Sequence, residues 1–368
     1  MLFINNSGFI KSEGNYYITR TTGHFLVEIK NKLDKNITLF QFVEKGNIEN
    51  GINDFKLDEY FSIKSIPFYK NSKKVLAYII ALWKTFIIVK KNHDFVYIFY
   101  PGHLPLLVSY ICILLHKPYG IYVRGEYNKI LSKPIFKHAQ FINTIGSIFL
   151  DEIKKYNKQT NIIRPMVQYN FNLELNGKDV KKKNEILFVG RIEKRKGVWE
   201  IVEAAKKLKK ELPDFSIRLV GAGKDTESIS NYIKTEKLDN VVLHGPEFDS
   251  EKLSQLYLQS KIFLFPSHDE GFPRVLYEAM YFETPIITTF VGNIPSIMKD
   301  NFNCLKISVG ASNSIVKQIK SLCLNSVLAN ELTKNGKKTL SLIFNDKIID
   351  HSELLANQII GYDKQNME

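Results

Sequence analysis

Short runs of β-branched and aromatic residues alternate along this chain with longer stretches in which apolar residues recur at helical spacing. This alternation is typical of parallel strands linked by helices, and it predicts an α/β fold. The first half is predicted to hold strands at 2–4, 37–42, 95–99 and 120–123, and helices at 16–33, 73–91, 105–115 and 149–156. The second half is predicted to hold strands at 186–189, 217–220, 241–243, 262–265 and 286–289, with helices between them.

A polar stretch without sustained periodicity separates the two series. It contains Arg164-Pro165 and the run 181–184. We therefore predict a first domain over residues 1–168, a linker over 169–183 and a second domain over 184–344. Two domains agree with a length of 368 residues, because one hydrophobic core seldom organises so long a chain. In such sheets ligands bind beyond the carboxyl ends of the strands, so two facing units would form a ligand cleft.

The composition, 44% hydrophobic and 24% charged, excludes disordered and collagen-like chains. The formal net charge of +13 is unevenly spread. Residues 1–170 carry 23 Lys and Arg against 12 Asp and Glu, whereas the remaining residues carry 28 against 26. A basic half suits nucleic acid, an anionic membrane, an acidic substrate or a lysine-rich solubilising surface, and charge alone leaves these four open.

Cysteine usage and hydropathy indicate where the protein works. Cys112, Cys304 and Cys323 form neither a disulfide framework nor a zinc-ligand spacing, which favours a reducing compartment. The N-terminus lacks the charged start and continuous apolar core of a secretory signal. The apolar stretches at 75–89 and 104–115 are interrupted or too short to span a bilayer. We expect a cytoplasmic protein without a transmembrane helix.

The first candidate site follows the strand predicted at 186–189. The segment 190–197 places Arg191 and Lys196 around the N-terminus of the next helix. Free backbone amides, the positive end of the helix dipole and two cations together suit a diphosphate. The alternative is an ordinary solvated charge run. The segment is not a P-loop, because it lacks the required Gly-x4-Gly-Lys-Ser/Thr pattern.

The second candidate site lies between the strands predicted at 262–265 and 286–289. Glu270 falls in the loop after the first strand, and Glu278 falls in the second turn of the following helix, with Pro273 in its first turn. One carboxylate has the acceptor oxygens to hold the vicinal hydroxyls of a ribose, and the other suits sugar hydroxyls. The alternative is that both glutamates are helix-start and solvent-facing residues.

Several motifs occur in the order and spacing of a known family. They are Gly190-Arg191, Lys196-Gly197, Leu219-Val220-Gly221-x-Gly223, Leu243-His244-Gly245, Phe265-Pro266-Ser267, Glu270-Gly271-Phe272, Glu278-Ala279-Met280 and Pro285. Over residues 184–310 the chain resembles the donor-binding domain of glycosyltransferase family 4, within the group 1 glycosyltransferases. The resemblance implies the GT-B architecture: two Rossmann-like domains facing across a cleft, with a final helix in 345–368 crossing back to the first domain.

The resemblance also implies roles for residues of the second domain. Arg191 and Lys196 would bind the donor diphosphate and stabilise the leaving group, and Glu270 would contact the donor sugar; these three are the catalytic candidates. The donor-binding candidates are Glu278 on the ribose, Gly190, Gly271, Phe272, and Glu247 near the nucleobase. The family needs no essential metal or other cofactor, and this sequence has no Asp-x-Asp motif.

Four residues of the first domain are candidates for the acceptor side. Gly14, expected between the first strand and a helix, suits a loop where donor and acceptor approach closely. His103 follows a predicted strand, with a helix-start surface histidine as the alternative. Arg124 and Glu126 stand where many relatives carry a histidine, with a structural ion pair as the alternative.

The helix predicted at 73–91 has a basic face. Lys73, Lys84 and Lys91 fall within a narrow arc. Expected opposite them are Leu76, Ile79, Ile80, Leu82, Trp83, Ile87 and Ile88. A basic amphipathic helix suits docking on anionic lipid, and the alternative is an ordinary helix whose apolar side packs on the sheet.

These features predict a retaining glycosyltransferase of hexosyltransferase type. It would move a sugar from a nucleoside diphosphate sugar to a glycan or lipid-linked acceptor in cell-surface polysaccharide synthesis. The expected place is the cytosolic membrane face, with peripheral contact through the basic first domain. The alternatives are another sugar-nucleotide enzyme of this fold, such as an epimerase, and a basic nucleic-acid-binding protein. We expect no nucleic acid partner, because the chain has no recognised binding module.

Overall fold

The computed structural model divides the chain into two compact units. The first contains residues 1–168 and 346–368, and the second contains residues 169–345. The structure describes residues 1–5, 8–46, 48, 53–67, 74–91, 94–145, 149–165, 180–271, 273–344 and 349–365, without the side chains of 45, 67 and 74–81. Most of the predicted linker, 169–179, lies outside the described residues.

Strands and helices alternate through both units. The strands are β1 (Leu2–Ile4), β2 (Phe9–Ser12), β3 (Asn15–Ile18), β4 (Thr38–Lys45), β5 (Phe55–Lys56), β6 (Ser62–Pro67), β7 (Val96–Tyr100), β8 (Tyr119–Val123), β9 (Phe141–Thr144), β10 (Thr160–Ile162), β11 (Lys183–Val189), β12 (Ser216–Val220), β13 (Val241–Gly245), β14 (Ser260–Phe265), β15 (Ile286–Thr289) and β16 (Leu305–Ile307). The helices are α1 (Arg20–Leu33), α2 (Lys74–Lys90), α3 (His103–Leu114), α4 (Lys129–His138), α5 (Leu150–Lys154), α6 (Val198–Glu211), α7 (Thr226–Thr235), α8 (Ser250–Gln259), α9 (Val275–Tyr281), α10 (Ile294–Ile297), α11 (Ser312–Leu324), α12 (Ser326–Ile343) and α13 (His351–Gln365).

The first unit is built on one sheet with two hydrophobic cores. Its strands run in the order β10-β9-β8-β7-β1-β4-β2-β3-β5, with β6 also paired to β4. Among the strand pairs of the described residues, β2–β3 and β3–β5 are antiparallel and the others are parallel. Helices α1 and α13 contribute to one core. Helices α2, α3, α4 and α5 contribute to the other. The sheet is therefore covered by helices on both faces, as parallel sheets require.

Helix α13 completes the first unit although 177 residues of the second unit precede it in the chain. Its buried residues Leu355, Ala356 and Ile359 join the core that α1 lines. The amide of Asn143 in β9 also donates to Gln358 at 2.9 Å. The final helix therefore returns to the first unit, as predicted.

The second unit is a parallel sheet of six strands in the order β13-β12-β11-β14-β15-β16. The central strands β11 and β14 contain the buried apolar runs 186–188 and 262–265, as in doubly wound α/β folds. Because all six strands are parallel, their carboxyl ends meet at one edge of the sheet. The loops after them are thus brought together at that edge.

The predicted strands are present in both units. The first unit also contains elements that the sequence did not predict, among them β6, β9, β10 and α4. Two predicted details of the first unit differ as well. The helix predicted at 16–33 begins only at Arg20, because residues 15–18 form β3 in a hairpin with β2. In α2, Leu82 and Trp83 are exposed beside Lys84, whereas Thr85 and Val89 are buried. The expectation that Leu82 and Trp83 face away from the lysines is therefore wrong. Lys73 lies outside the described residues.

Candidate functional site

The loops at the carboxyl edge of the second sheet are bonded to one another through their backbones. The amide of Ile192 donates to Ala222, and the amide of Gly221 donates to Gly245. On the other side of the edge, the amide of His268 donates to Arg195 at 2.8 Å, and the amide of Asn293 donates to Gly271 at 2.9 Å. The candidate residues after β11 and β14 therefore belong to one connected surface rather than to independent loops.

Lys196 and Glu270, 74 residues apart, form an ion pair at this edge. Both side chains are largely buried, at 12% and 9% exposure. The hydroxyl of Ser267 donates to the same Glu270 oxygen at 2.8 Å, and the Lys196 ammonium lies 5.6 Å from the Phe265 ring centroid. The carboxylate is thus held by two donors, and the ammonium is fixed at the N-terminal end of α6.

Two glycines allow this close packing. Gly197 has a left-handed φ of 73°, and a Cβ there would lie 2.2 Å from the carbonyl oxygen of Pro266. Gly292, at φ 53°, would bring a Cβ to 1.7 Å from the carbonyl oxygen of Glu270. Any larger residue would push against backbone atoms of the loop that carries Glu270. Glycine is therefore required on both sides of this loop.

Arg191 lies at the outer part of the same edge. Its guanidinium is about half exposed and pairs with Glu193 at 3.2 Å, and Glu193 also pairs with Arg195 at 2.8 Å. Helix α6 begins at Val198, directly after a short 3₁₀ turn formed by residues 194–196. Arg191 and Lys196 are close in the chain to the start of a helix, and a helix start favours an anion because its first amides have no partner within the helix. The N-terminus of this helix lies where the sequence predicted it.

Glu278 is more deeply buried than expected. It lies in the first turn of α9, which begins at Val275, and not in a second turn; Pro273 precedes the helix. The side chain accepts a hydrogen bond of 2.8 Å from the hydroxyl of Tyr257 in α8. Burial raises the pKa of Glu278 to about 7, against the lowering effects of the Tyr257 hydrogen bond and of the Arg274 charge.

Glu247 uses its carboxylate within its own loop. The amides of Phe248 and Asp249 both donate to it at 3.0 Å, and His244 lies 3.4 Å away. The hydrogen bond from the Asp249 amide, with help from His244, lowers the pKa of Glu247 despite some desolvation. The side chain therefore shapes the turn between β13 and α8.

The glycine and aromatic candidates of the second unit occupy the same edge. Gly190 directly follows β11, and its amide donates to Val220 at 3.0 Å. Gly271 accepts the bond from Asn293, next to the close approach of Gly292. Phe272 lies outside the described residues.

The candidates of the first unit are spread over separate places. Gly14 lies at the tip of the β2–β3 hairpin with φ 86°, so it links two strands and not a strand and a helix as predicted. A Cβ added there would meet nothing within 4 Å. His103 is the exposed first residue of α3. This position agrees with the alternative of a helix-start surface histidine.

Arg124 and Glu126 follow β8. The Arg124 guanidinium lies over the rings of Phe99 and Tyr122, at 5.0 and 5.8 Å. His351 of α13 packs edge-on against Tyr122 at 4.4 Å, and its Nε2 lies 2.7 Å from the Tyr97 hydroxyl. Glu126 is exposed. Arg124 is therefore part of an aromatic cluster that the final helix closes.

Sequence reasoning missed several residues that hold the site together. Tyr257 orients Glu278, Ser267 bonds Glu270, and Gly292 permits the close loop packing. His268 also contacts Glu200 of α6 at 3.0 Å. Gly292 could have been found, because it follows a strand of the parallel sheet. The Tyr257–Glu278 and His268–Glu200 contacts join distant segments and leave no local signal.

Within the described ranges, no group of three or more His, Cys, Asp and Glu is arranged to hold a metal ion. The helices of that part of the chain include none with the length and apolar character needed to cross a bilayer. Cys112 and Cys304 are buried free thiols, and Cys323 is partly buried.

Sequence comparison identifies relatives of the second unit. Residues 174–339 match the family described as glycosyl transferases group 1. An uncharacterized glycosyltransferase of Methanocaldococcus jannaschii is 30% identical over 152 residues, which are 41% of this chain and 42% of the relative. The capsular polysaccharide biosynthesis glycosyltransferase CapM of Staphylococcus aureus is 30% identical over 165 residues, 44% of this chain and 42% of the relative. These matches span less than half the length of either relative.

Structural comparison extends over both units. The crystal structure of Anabaena HepE in complex with UDP has a TM-score of 0.63 and covers 99% of each chain. Its identity to this chain is 14%, so the likeness concerns the fold, which is GT-B. Residues 174–339 therefore carry the sequence pattern of the group 1 glycosyl transferases, and the chain has the GT-B fold.

Proposed function

We propose that this protein transfers a glycosyl group from a nucleoside diphosphate sugar to a glycan or lipid-linked acceptor, with retention of the anomeric configuration. The observation that carries the proposal is the buried Lys196–Glu270 pair at the start of α6. The pair places a cation and a carboxylate next to the start of a helix, whose first amides have no partner within the helix and suit an anion. We propose that this carboxylate binds the donor sugar. CapM, named for capsular polysaccharide biosynthesis, and HepE, crystallised with UDP, support the acceptor and donor classes.

In the proposed reaction Lys196 and Arg191 bind the diphosphate, and Glu270 accepts hydrogen bonds from the donor sugar. The bond between the anomeric carbon and the diphosphate oxygen breaks, and the acceptor oxygen bonds to the same face of that carbon. The acceptor proton passes to the leaving phosphate. The two cations stabilise the negative charge that develops on the diphosphate as its bond to the sugar breaks.

Glu278 has a separate proposed role on the nucleotide ribose. Its ionised form accepts hydrogen bonds from the two hydroxyls, and Tyr257 holds the carboxylate in place. The pKa of about 7 means that this form is only partly populated at neutral pH in the free protein. Hydrogen bonds from a bound ribose favour the ionised form.

Nucleotide binding tests the site. Calorimetric titration with UDP, GDP and other nucleoside diphosphates should find one that binds, and Lys196→Ala and Glu278→Ala should each weaken it by about 100-fold. Lys210→Ala, an exposed lysine on α6, is the matched control and should change nothing. Unchanged affinity in both site variants would remove the assignment.

Product analysis tests the reaction class. Incubation of the matching nucleotide sugar with and without an acceptor separates transfer from epimerisation, because an epimerase alters the sugar without an acceptor. The anomeric configuration of the product, read by NMR coupling constants, tests retention.

We further propose that the transfer needs no metal, so activity should survive EDTA. Loss of activity that Mg²⁺ or Mn²⁺ restores would contradict this.

A further inference from the structure

Helices α2, α3 and α4 form one layer on the first sheet. Their inward residues, including Val89, Val108 and Phe136, share a single hydrophobic core, whereas α1 and α13 line the other core. Neighbouring helices of the layer contact each other, and the Tyr110 hydroxyl of α3 donates to the Leu131 carbonyl of α4 at 2.9 Å. The layer therefore has one continuous outer face.

Large apolar side chains of these three helices are exposed. Trp83 is 64% exposed, Leu114 is 69% exposed and Ile130 is 84% exposed. Among the described side chains of the three helices, the exposed large hydrophobic residues are Leu82, Trp83, Tyr110, Leu114, Ile130 and Leu131. In the rest of the described part of the first unit, the exposed large hydrophobic residues are only Tyr60, Ile349 and Ile360. A concentration of this kind marks an interaction surface and not ordinary scatter.

The charges of the layer all have one sign. Helices α2, α3 and α4 contain no Asp or Glu in 39 residues. Their lysines are Lys74, Lys84, Lys90, Lys129, Lys133 and Lys137. Acidic residues begin only at the margins, with Asp94, Glu126 and Glu152, the last paired to Lys129 at 2.9 Å. On the opposite face, α1 and α13 carry Glu28, Glu353 and Asp363.

We propose that the outer face of α2, α3 and α4 docks on an anionic lipid bilayer. Trp83, Leu114 and Ile130 would enter the region between headgroups and acyl chains. Lysines such as Lys84 and Lys137 would lie at the phosphate level, their aliphatic stems on the apolar surface. A bilayer fits this face because it offers apolar depth and negative charge together. Nucleic acid offers negative charge without apolar depth.

The docking proposal does not depend on the proposed glycosyl transfer. It rests on exposure and charge of the first unit, whereas the donor residues are in the second. Vesicle binding is measured without any nucleotide sugar. A negative result would therefore overturn the docking proposal and leave the proposed glycosyl transfer untouched.

Vesicle flotation with the full chain tests the surface. We expect binding to equimolar phosphatidylglycerol and phosphatidylcholine, no binding to phosphatidylcholine alone, and weakening by salt. The triple variant Trp83→Ser, Leu114→Ser, Ile130→Ser should bind at least tenfold more weakly. The matched control is Leu324→Ser with Val327→Ser, two exposed apolar residues of the second unit, and it should bind normally.

Charge reversal tests the electrostatic part. Lys84→Glu with Lys137→Glu should weaken binding at least tenfold. Lys210→Glu with Lys317→Glu changes the net charge equally, at exposed positions of the second unit, and should have little effect. Equal loss in both pairs would mean that total charge and not this face attracts the bilayer, which would overturn the proposal.

Trp83 provides a direct optical probe. The chain has two tryptophans, Trp83 and Trp199. In the variant Trp199→Phe, anionic vesicles should shift the remaining emission to the blue, and brominated acyl chains should quench it. Emission that does not respond to bound vesicles would place Trp83 outside the bilayer and overturn the proposal.

Self-association is the competing use of such a face. In one outcome, sedimentation shows that the natural chain is a dimer and the triple serine variant a monomer. If, in addition, neither protein binds the vesicles, a second copy of the chain covers this face. That result would overturn the bilayer proposal. A monomer that floats with anionic vesicles supports it.

Discussion

The carboxyl ends of the two parallel sheets are built in contrasting ways. In the second unit, glycines bring loops together and the space between them holds ion pairs such as Lys196–Glu270. In the first unit, the ends of β7 and β8 carry Phe99 and Tyr122, and the rings of Phe25 and His351 pack with them. One edge is arranged for polar contacts and the other is filled by aromatic side chains.

This contrast explains why equivalent positions in similar folds have different roles. At the end of β11, Arg191 pairs with a carboxylate and is about half exposed. At the end of β8, Arg124 lies over two aromatic rings, and burial lowers its pKa. The first arrangement leaves a cation accessible to ligand, and the second uses a cation in packing. A position directly after a strand therefore makes a residue a candidate for the site, but the side chains around that residue determine its role.

The largest expected effect comes from Gly292→Ala. Its Cβ would overlap the Glu270 carbonyl, so the loop must move, at a cost of about 3 kcal/mol or more in the free energy of unfolding, with loss of nucleotide binding. Gly310→Ala is the matched control, since it has a left-handed φ of 74° but an empty surrounding. It should cost about 1 kcal/mol and keep binding. Equal effects of both changes, measured by chemical unfolding and calorimetry, would refute the close-packing account.

The next effect concerns His351 of the aromatic edge. Burial lowers the pKa of His351 to about 3, against the raising effect of the Asp350 charge and with a smaller lowering by Arg124. The unfolded chain binds this proton near pH 6.5 and the folded chain does not, so the native state loses stability as the pH falls. The loss from this one group between pH 7 and pH 4 is on the order of 3 kcal/mol.

His351→Phe should flatten that pH dependence while keeping a ring in the cluster. Chemical unfolding at several pH values measures the slope. His138→Phe changes an exposed histidine of the same unit and serves as the control, which should keep the natural slope. An unchanged slope in His351→Phe would show that the buried histidine does not titrate as described.

A smaller effect is expected for the ribose carboxylate. Because the pKa of Glu278 is about 7, nucleotide affinity should fall about tenfold from pH 8 to pH 6 as the acceptor is protonated. Tyr257→Phe removes the hydroxyl that favours the ionised form, so the fall should begin at a higher pH. Tyr281→Phe, on the same helix as Glu278, is the control. Calorimetry measures the affinity across this pH range. If the affinity of Tyr257→Phe falls at the same midpoint pH as that of the natural protein, Tyr257 does not position Glu278.

The smallest effect is the coupling between His268 and Glu200. The pair joins the loop after β14 to α6 at 3.0 Å and is partly exposed. A double-mutant cycle with His268→Gln and Glu200→Gln should give a coupling of about 0.5–1 kcal/mol in unfolding free energy. Additive single effects would mean that this polar contact does not help to hold the edge.

The second unit could be predicted from sequence far better than the first. Its strands read as apolar runs, and Gly190, Lys196 and Glu270 follow them within a few residues, so local spacing nominates them. The burial of Glu278 could not be foreseen, because it depends on Tyr257, 21 residues earlier on another helix.

Two features of the first unit could not be predicted from the local sequence pattern. The sequence predicts the start of a helix where β3 lies, because the Tyr and Ile residues of β3 fit either period over so short a run. Arg124 and His351 lie 227 positions apart, and no pattern near either one signals the aromatic cluster. Exposure of Trp83 likewise depends on which side of α2 meets the sheet.

The return of α13 to the first unit sets an order for biosynthesis. Residues 169–345 form a contiguous unit that is synthesised before α13. Until residues 349–365 emerge, the surface of α1 around Phe25 and Leu26 lacks the cover of Leu355 and Ile359. The nascent first unit therefore exposes an apolar surface, which chaperones can bind, until α13 is available. The second unit contains all of its own segments before that point.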